Sequence, residues 1–344
     1  MFTARHRLEM PSLPRFENPK LQSQLEHKID TQGSLKASSN QLEQLALHLG
    51  LILNSQEPQI KEPQLLVFAA GSGLTDKTKV TYTPPVTQQQ VNQFLSGTGA
   101  LQALANQQAI QLRLVDAGLA ANLPAHPKLL SKKVMSGTRN SLKTQAMNAE
   151  ECLQAIFTGM ALVRETPGNL LILGKLGLGH DPAASLLLSK LGALPLEDCL
   201  DSATNRDLAG PDQQALLKQV LHKHRLARNP LEVLAALGSL EIAMMTGALL
   251  QAASERRILL IDGLVVASAL LVAECLQPGI KHFAVFSHQS SEPGHRQLLQ
   301  LFKARPLLDL DLDLGEGAGA LLAYPLLPAS LTAFTTGHPS LQPK

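Results

Sequence analysis

The chain has 344 residues, of which 44% are hydrophobic, with 30 basic and 28 acidic residues and a net charge of +2. This length and composition predict a globular protein with a substantial core and exclude a disordered chain. Only 3% of the residues are aromatic. Because the charge is nearly balanced and aromatic side chains are scarce, we expect no nucleic acid partner.

The three cysteines, Cys152, Cys199 and Cys275, lie far apart in apolar stretches. This favours free thiols in a reducing compartment over disulfides or a zinc site. The first residues lack an apolar signal segment, and the longest apolar run, 263–275, is too short to cross a bilayer. We therefore expect a cytoplasmic protein without membrane contact.

The first 60 residues are polar and rich in glutamine, and leucines at helical spacing between 42 and 53 predict a helical arm. From residue 64 onward, short apolar runs alternate with longer helical patterns, which is typical of a parallel sheet with crossover helices. The predicted strands are 65–70, 112–116, 170–173, 258–262 and 283–287.

Helix starts are predicted at Asn148, with Glu151 three residues later, and at Asp181, followed by Pro182. The stretch 202–224 predicts a loop leading into a helix, and the segment after Glu316 predicts helix to about residue 334. Polar stretches follow four predicted strands, at 70–74, 174–181, 262–263 and 287–295. In a doubly wound sheet these stretches converge on one cleft at the carboxyl ends of the strands.

Glu316 stands among three glycines in Leu-Gly-Glu-Gly-Ala-Gly-Ala, residues 314–320. Glycines permit unusual turns and a close ligand, so this carboxylate is a candidate catalytic base. The alternative is that it only stabilises the start of a helix through the helix dipole.

Two further stretches are candidate binding sites. Residues 170–182 run from a strand through three glycines into a helix, an arrangement that can hold a phosphate, although a capping Asp181 would occupy the same amides. Residues 287–295 supply hydroxyls, a carboxylate and two histidines. Binding of a polar ligand is favoured there over a metal site formed by His288, Glu292 and His295, while Ser291 is the expected cap of a helix beginning near Glu292.

Several ordered motifs together resemble the nicotinate-nucleotide:dimethylbenzimidazole phosphoribosyltransferases, which make the lower-ligand nucleotide of cobalamin. The resemblance spans about residues 60–335 and is strongest towards the C-terminus. It is carried by Pro-Leu-Glu-Val-Leu-Ala-Ala-Leu-Gly at 230–238, Leu-Ile-Asp-Gly at 260–263, Ser-His at 287–288, Glu-Pro-Gly-His at 292–295, Arg-Pro-Leu-Leu-Asp-Leu at 305–310 and the motif around Glu316.

The resemblance implies an α/β fold with a doubly wound, Rossmann-like parallel sheet and a second, smaller helical domain built from both chain termini. The expected domains are 60–300 for the nucleotide and base, and 1–59 with 301–344 for the helical domain. It also implies a homodimer that uses no cofactor and takes two small-molecule substrates, nicotinate mononucleotide and an aromatic base.

The resemblance also assigns site residues. It makes Glu316 the general base that takes the N–H proton of a benzimidazole while the other ring nitrogen attacks ribose C1′. The residues that it assigns to substrate binding are Gln89, Lys175, Gly177, Gly179, Ser291 and Gly294.

Departures from the family pattern cluster around the expected site. Gly71 and Ser72 stand in place of an Asp-His pair, Lys175 in place of a second carboxylate, and Asp181 in place of a small hydroxyl. A phosphate-binding lysine falls on Gln213, with Lys218 as a possible substitute. Two hypotheses follow: a phosphoribosyltransferase that makes an α-ribazole phosphate, or a catalytically impaired homologue that binds a nucleotide or base or partners an active subunit.

Overall fold

A computed structural model describes residues 10–31, 41–74, 84–177, 181–200, 211–312 and 314–336. The strands are β1 Gln64–Ala70, β2 Gln111–Gly118, β3 Leu129–Ser131, β4 Leu170–Lys175, β5 Ile258–Ile261, β6 Ala284–Phe286, β7 His288–Ser290 and β8 Leu308–Leu312. The helices are α1 Pro19–Thr31, α2 Gln41–Leu53, α3 Pro84–Ser96, α4 Ala100–Gln107, α5 Ala149–Arg164, α6 Pro182–Leu191, α7 Pro211–Lys223, α8 Pro230–Leu237, α9 Leu240–Ser254, α10 Leu264–Leu276, α11 Pro293–Phe302, α12 Ala318–Ala323 and α13 Leu326–Thr336.

Six strands form one parallel sheet in the order β3-β2-β1-β4-β5-β6. From β1 the chain moves outward through β2 and β3, crosses to the other side of β1 at β4, and continues through β5 to β6. This confirms the predicted doubly wound α/β fold. The order reverses between β1 and β4, so ligands are expected near the carboxyl ends of the central strands.

The central strands are apolar because helices cover the sheet. Strand β5 is completely buried, and all but the last residue of β1 and of β4 is buried. Helix α9 packs against β1, β2, β4 and β5, while α4 packs against β2 and α2 against β5. All five strands predicted from apolar runs are present.

A second, two-stranded parallel sheet pairs β7 with β8. The sequence did not predict these strands as a pair. Strand β8 alternates leucine and aspartate and is largely exposed, so it lacks the continuous apolar run that marks a buried strand. Strand β3 escaped prediction because only three residues form it.

Both predicted helix starts are confirmed. Asn148 and Glu151 form a capping box at the start of α5, and the Asp181 carboxylate accepts from the first amides of α6. The prediction that Ser291 caps the helix beginning near Glu292 was wrong. Glu292 takes the N-cap position of α11, because Pro293 has the fixed φ that suits the first helical residue.

Helices from both ends of the chain meet, since α13 packs against α2 and α2 packs against α1. The division into domains 60–300 and 1–59 with 301–344 stays a prediction. Residues 201–210 of the predicted loop lie outside the described residues, and α7 follows them. No helix in the described ranges combines the length and apolar character needed to span a membrane.

Candidate active site

A small cleft of about 60 Å³ lies at the carboxyl ends of β4, β5 and β6. Three of the four polar stretches predicted to converge do line it. The lining residues are Lys175, Gly177, Asp262, Gly263, Leu264, Val265, Val266, His288, Ser290, Glu292, Leu312, Leu314, Gly315 and Glu316.

The fourth stretch, after β1, lies against another loop instead. The Gly71 amide donates to the Gly118 carbonyl at 2.9 Å, and the Gly73 amide donates to Thr138 Oγ1 at 3.2 Å. These contacts hold residues 71–73 beside the loop that contains Thr138. They form no part of the lining of the cleft around Glu316.

Glu316 occupies a turn in which three successive residues are left-handed. The φ angles of Gly315, Glu316 and Gly317 are 63°, 56° and 88°. Glycine takes this conformation freely, whereas a glutamate there costs on the order of 1–3 kcal/mol and needs support from its surroundings. That support comes from β4, because the Glu316 backbone packs so closely on Gly174 that a β-carbon at 174 would clash with the Glu316 carbonyl.

Asp262, directly after β5, stabilises the same turn from its other side. Its Oδ1 accepts from the Ala320 amide at 2.9 Å, in the first turn of α12. The His288 Nδ1 lies 3.8 Å from that oxygen. The carboxylate of Asp262 therefore joins the end of a central strand to the helix start that follows Glu316.

His288, which lines the cleft, and His295 form a buried pair, with ring centroids 5.7 Å apart. Ser287 Oγ donates to the Ile261 carbonyl at 2.6 Å, so it accepts from His288 Nδ1 at 2.9 Å, which places a proton on that nitrogen. His295 Nδ1 accepts from the Ser290 amide at 3.0 Å. Burial lowers the pKa of His295 to about 3, so this ring is neutral and supports β7.

Lys175, at the end of β4, forms an ion pair of 2.7 Å with Asp181. The same carboxylate accepts from the Ala183 amide at 2.8 Å, at the start of α6. Glu241 is buried next to this pair, and one of its oxygens, Oε2, has no hydrogen-bond partner. Its burial raises the pKa of Glu241, and the Lys175 cation counteracts part of that rise.

Comparison with known proteins decides the family. A family model described as a phosphoribosyltransferase matches residues 15–338. A curated nicotinate-nucleotide–dimethylbenzimidazole phosphoribosyltransferase of Variovorax paradoxus is 42% identical over 93% of this chain and 92% of its own length.

The chain belongs to this family of phosphoribosyltransferases. A second relative with the same name, from Cupriavidus necator, is 43% identical over 92% of this chain and 91% of its own length. The solved nicotinate-nucleotide–dimethylbenzimidazole phosphoribosyltransferase of Thermus thermophilus is 32% identical. It superposes with a TM-score of 0.86 over 92% of this chain and 96% of that one.

The environment of Glu316 in this phosphoribosyltransferase favours a proton acceptor. Burial raises the pKa of Glu316 above its ordinary value of 4.5, and a hydrogen bond from the Gly177 backbone counteracts part of the rise. A carboxylate with a raised pKa is a stronger base, provided that it is still ionised at the working pH.

The remaining residues predicted to bind substrate are spread more widely. Lys175 and Gly177 line the cleft, whereas Gln89 is exposed on α3 and Ser291 is exposed just before α11. Gly294 is buried, and a β-carbon there would lie 2.8 Å from the Cys199 carbonyl, so its place in the fold is explained by packing. Gly179 and the side chain of Gln213 lie outside the described residues.

The structure also bears on two weaker hypotheses from the sequence, the substitute phosphate-binding lysine and the metal site. Lys218, the possible substitute for Gln213, forms a solvent-exposed ion pair with Glu197. His288 and Glu292 line the cleft, but the described residues contain no group of three or more side chains that could hold a metal.

Sequence reasoning gave no role to Glu241, nor to Asp262, although Asp262 lies in a motif that carries the family resemblance. The signal for Asp262 is its place directly after a fully buried strand, where a carboxylate needs a partner. Glu241 sits at the start of the apolar helix α9. A lone acid there is easily taken for a residue that only stabilises the helix dipole.

Proposed function

We propose that this phosphoribosyltransferase transfers the phosphoribosyl group of nicotinate mononucleotide to a benzimidazole-type base, giving an α-ribazole phosphate for cobamide synthesis. The observation that carries the proposal is Glu316, held in a left-handed turn at the cleft with its pKa raised by burial. The names of the relatives supply the substrate classes.

In the proposed reaction, one nitrogen of the base attacks ribose C1′ as the bond from C1′ to the nicotinate nitrogen breaks. The bonding electron pair goes to nicotinate, whose ring nitrogen becomes neutral, so that this leaving group needs no acid. Glu316 accepts the N–H proton of the attacking base, which leaves a neutral benzimidazole product. Because C1′ becomes electron-deficient in the transition state, the carboxylate of Asp262, which also lines the cleft, favours this step.

The phosphate of the nucleotide has a suitable place at the start of α10. Leu264, Val265 and Val266 line the cleft and form the first turn of that helix, and the N-cap residue, Gly263, has no side chain to occupy their amides. Lys175 adds a positive charge at the same cleft. We assign Gln89, Gly177, Gly179, Ser291 and Gly294 to binding the rest of the two substrates.

The ion pair between Lys175 and Asp181 favours the second hypothesis, an impaired homologue that binds a nucleotide or base, or that partners an active subunit. A lysine held by a buried carboxylate has less freedom to reach a substrate phosphate. We rank this hypothesis second because the turn around Glu316 keeps both its unusual conformation and its supports. We further propose that the protein acts as a homodimer in the cytoplasm.

The deciding experiment is mass-spectrometric detection of α-ribazole phosphate after the purified protein is incubated with nicotinate mononucleotide and 5,6-dimethylbenzimidazole. We expect product from the parent protein and a loss of at least roughly a hundredfold in Glu316→Gln, which keeps the size of the side chain but removes the basic oxygen. Glu292→Gln is the matched control, since it removes a carboxylate from the same cleft and is expected to retain most activity.

Two results would count against the proposal. Absence of product with 5,6-dimethylbenzimidazole, other benzimidazoles and phenols would favour the impaired homologue. Equal losses in Glu316→Gln and Glu292→Gln would show that the cleft needs its total negative charge rather than one base. Circular dichroism of each variant separates loss of chemistry from loss of fold.

A further inference from the structure

A second and larger cleft, of about 480 Å³, lies away from Glu316. Helix α2 forms one wall, residues 281–286 a second, and the segment 302–307 after α11 a third. The lining residues are Gln41, Gln44, Leu45, His48, Lys281, His282, Ala284, Val285, Phe286, Phe302, Lys303, Ala304, Arg305, Pro306 and Leu307. None of them lines the cleft of Glu316.

The floor and the rim of this cleft differ in chemistry. Leu45, Phe286 and Phe302 are buried apolar side chains, while Lys281, Lys303 and Arg305 are exposed cations. No aspartate or glutamate is among the lining residues. In the described part of the chain, none of these three cations pairs with a carboxylate within 4.0 Å.

Arg305 and Lys303 both belong to the third wall of the cleft. With its amide oriented so that the oxygen faces the guanidinium of Arg305, Gln41 accepts hydrogen bonds from it and joins α2 to the third wall. Lys303 ends α11 in the left-handed conformation, with φ 52°, at a position where glycine is the usual residue. A lysine in this conformation has a conformational cost. The Lys303 side chain is exposed at the rim of the cleft.

The opposite wall is fixed by ring contacts. His48 Nε2 donates to the His282 carbonyl at 2.8 Å, and Phe16 stacks on the His282 ring with centroids 5.1 Å apart. Burial lowers the pKa of His48, so this ring adds polarity to the wall rather than charge. The cleft therefore has rigid sides, an apolar floor and a cationic rim.

We propose that this cleft binds a small amphipathic anion, meaning a flat apolar group that carries one phosphate, carboxylate or sulfonate. Its volume falls within the ordinary range for small-molecule sites, about 300–1,000 Å³. The buried phenylalanines accept the apolar group, and the three rim cations attract the acid group. This proposal does not depend on the reaction at Glu316.

The test uses 8-anilinonaphthalene-1-sulfonate as the probe and follows its fluorescence on titration with the full chain. We expect one bound probe per chain. Lys303→Gln with Arg305→Gln should raise its Kd at least roughly tenfold, because two charge-assisted contacts are lost. N-phenyl-1-naphthylamine, which has the same rings without the sulfonate, should bind the parent and this double variant alike.

The matched control is Lys143→Gln with Lys223→Gln, which removes two exposed positive charges from residues that do not line this cleft. Its Kd should equal that of the parent. Equal affinity in the rim variant would overturn the proposal, as would displacement of the probe by nicotinate mononucleotide, which would place it at the other cleft. A change in molar mass of the rim variant by light scattering would show instead that a second copy of the chain covers this surface.

Discussion

Glu316 has two features that are each unfavourable for the stability of the folded protein. Its backbone is in the left-handed region and its carboxylate is half-buried beside an apolar strand. Each feature costs free energy in the folded protein, and together they direct a basic oxygen into the cleft. Burial makes the carboxylate more basic, as a proton acceptor needs, whereas a residue that only stabilises a helix start needs neither burial nor a strained backbone.

The charge state of Glu316 can be measured directly. In protein labelled with ¹³C at the glutamate side-chain carboxyl, we expect the Glu316 resonance to titrate above the ordinary value of 4.5, because burial disfavours the ionised form. The Glu316→Gln spectrum assigns that resonance by its absence. The pH dependence of kcat/KM should show an acidic limb at the same pH, since only the ionised carboxylate accepts the proton and kcat/KM reports the groups of the free enzyme.

A Glu316 resonance that titrates at or below 4.5 would contradict this prediction. Glu241 supplies an internal control, since its pKa is also raised by burial although it lies outside the lining of the cleft. Its resonance, assigned with Glu241→Gln, should titrate above 4.5 without a matching limb in kcat/KM.

At the scale of elements, the site depends on the contact between β4 and the turn that holds Glu316. Gly174 is the point of contact, and a β-carbon there would lie 2.8 Å from the Gly317 amide and would also clash with the Glu316 carbonyl. Asp262 supports the same turn from the neighbouring strand β5. Two adjacent strands thus place one catalytic candidate.

Gly174→Ala should therefore damage both stability and activity. The added methyl group meets backbone atoms that cannot move aside independently, so we expect a loss of roughly 1–3 kcal/mol in the free energy of unfolding. Displacement of Glu316 by a fraction of an ångström should lower kcat at least roughly tenfold. Urea unfolding and steady-state kinetics measure the two effects.

The control is Gly71→Ala, at the end of the neighbouring strand β1. A β-carbon there would meet its nearest atom at 3.5 Å, an ordinary contact. We expect only small changes in stability and kcat. If Gly174→Ala lost stability but kept kcat, the placement of Glu316 would not depend on β4.

Hydrophobic periodicity and local capping patterns predicted some elements of this fold and not others. The runs that became β1, β4 and β5 were predicted because strands buried on both faces are continuously apolar. The caps at Asn148 and Asp181 were predicted because they rest on interactions within four residues. Such local signals sufficed for most of the fold.

Contacts between distant residues left no such signal. The pairing of Asp262 with Ala320 joins residues 58 positions apart. Gly294 was assigned to substrate binding from its motif, and only the fold brings the Cys199 carbonyl against it. The position of Glu316 in a cleft agreed with its motif. The contacts that support its turn, from Gly174 and Asp262, come from strands far away in the sequence and were not predicted.

For the whole molecule, the cluster of Lys175, Asp181 and Glu241 places three ionisable groups at the junction of β4, α6 and α9. Two of them, Asp181 and Glu241, are buried acids beside a single lysine. Two anions and one cation leave an unbalanced negative charge whenever Glu241 ionises. The stability of the whole fold should therefore depend on the protonation of Glu241.

The sign of that dependence follows from the direction of the pKa shift. Burial raises the pKa of Glu241, so the folded protein keeps this proton at pH values where the unfolded chain has released it. The parent should then lose stability as pH rises from about 4.5 through the raised value. Glu241→Gln cannot ionise, so its free energy of unfolding should rise relative to that of the parent over the same range.

Urea unfolding between pH 4.5 and 8 measures both curves, and this relative gain in the variant's stability should persist in 0.5 M NaCl because the group is buried. Parallel curves would mean that folding does not raise the pKa of Glu241, so that the group is ionised in both states over most of this range.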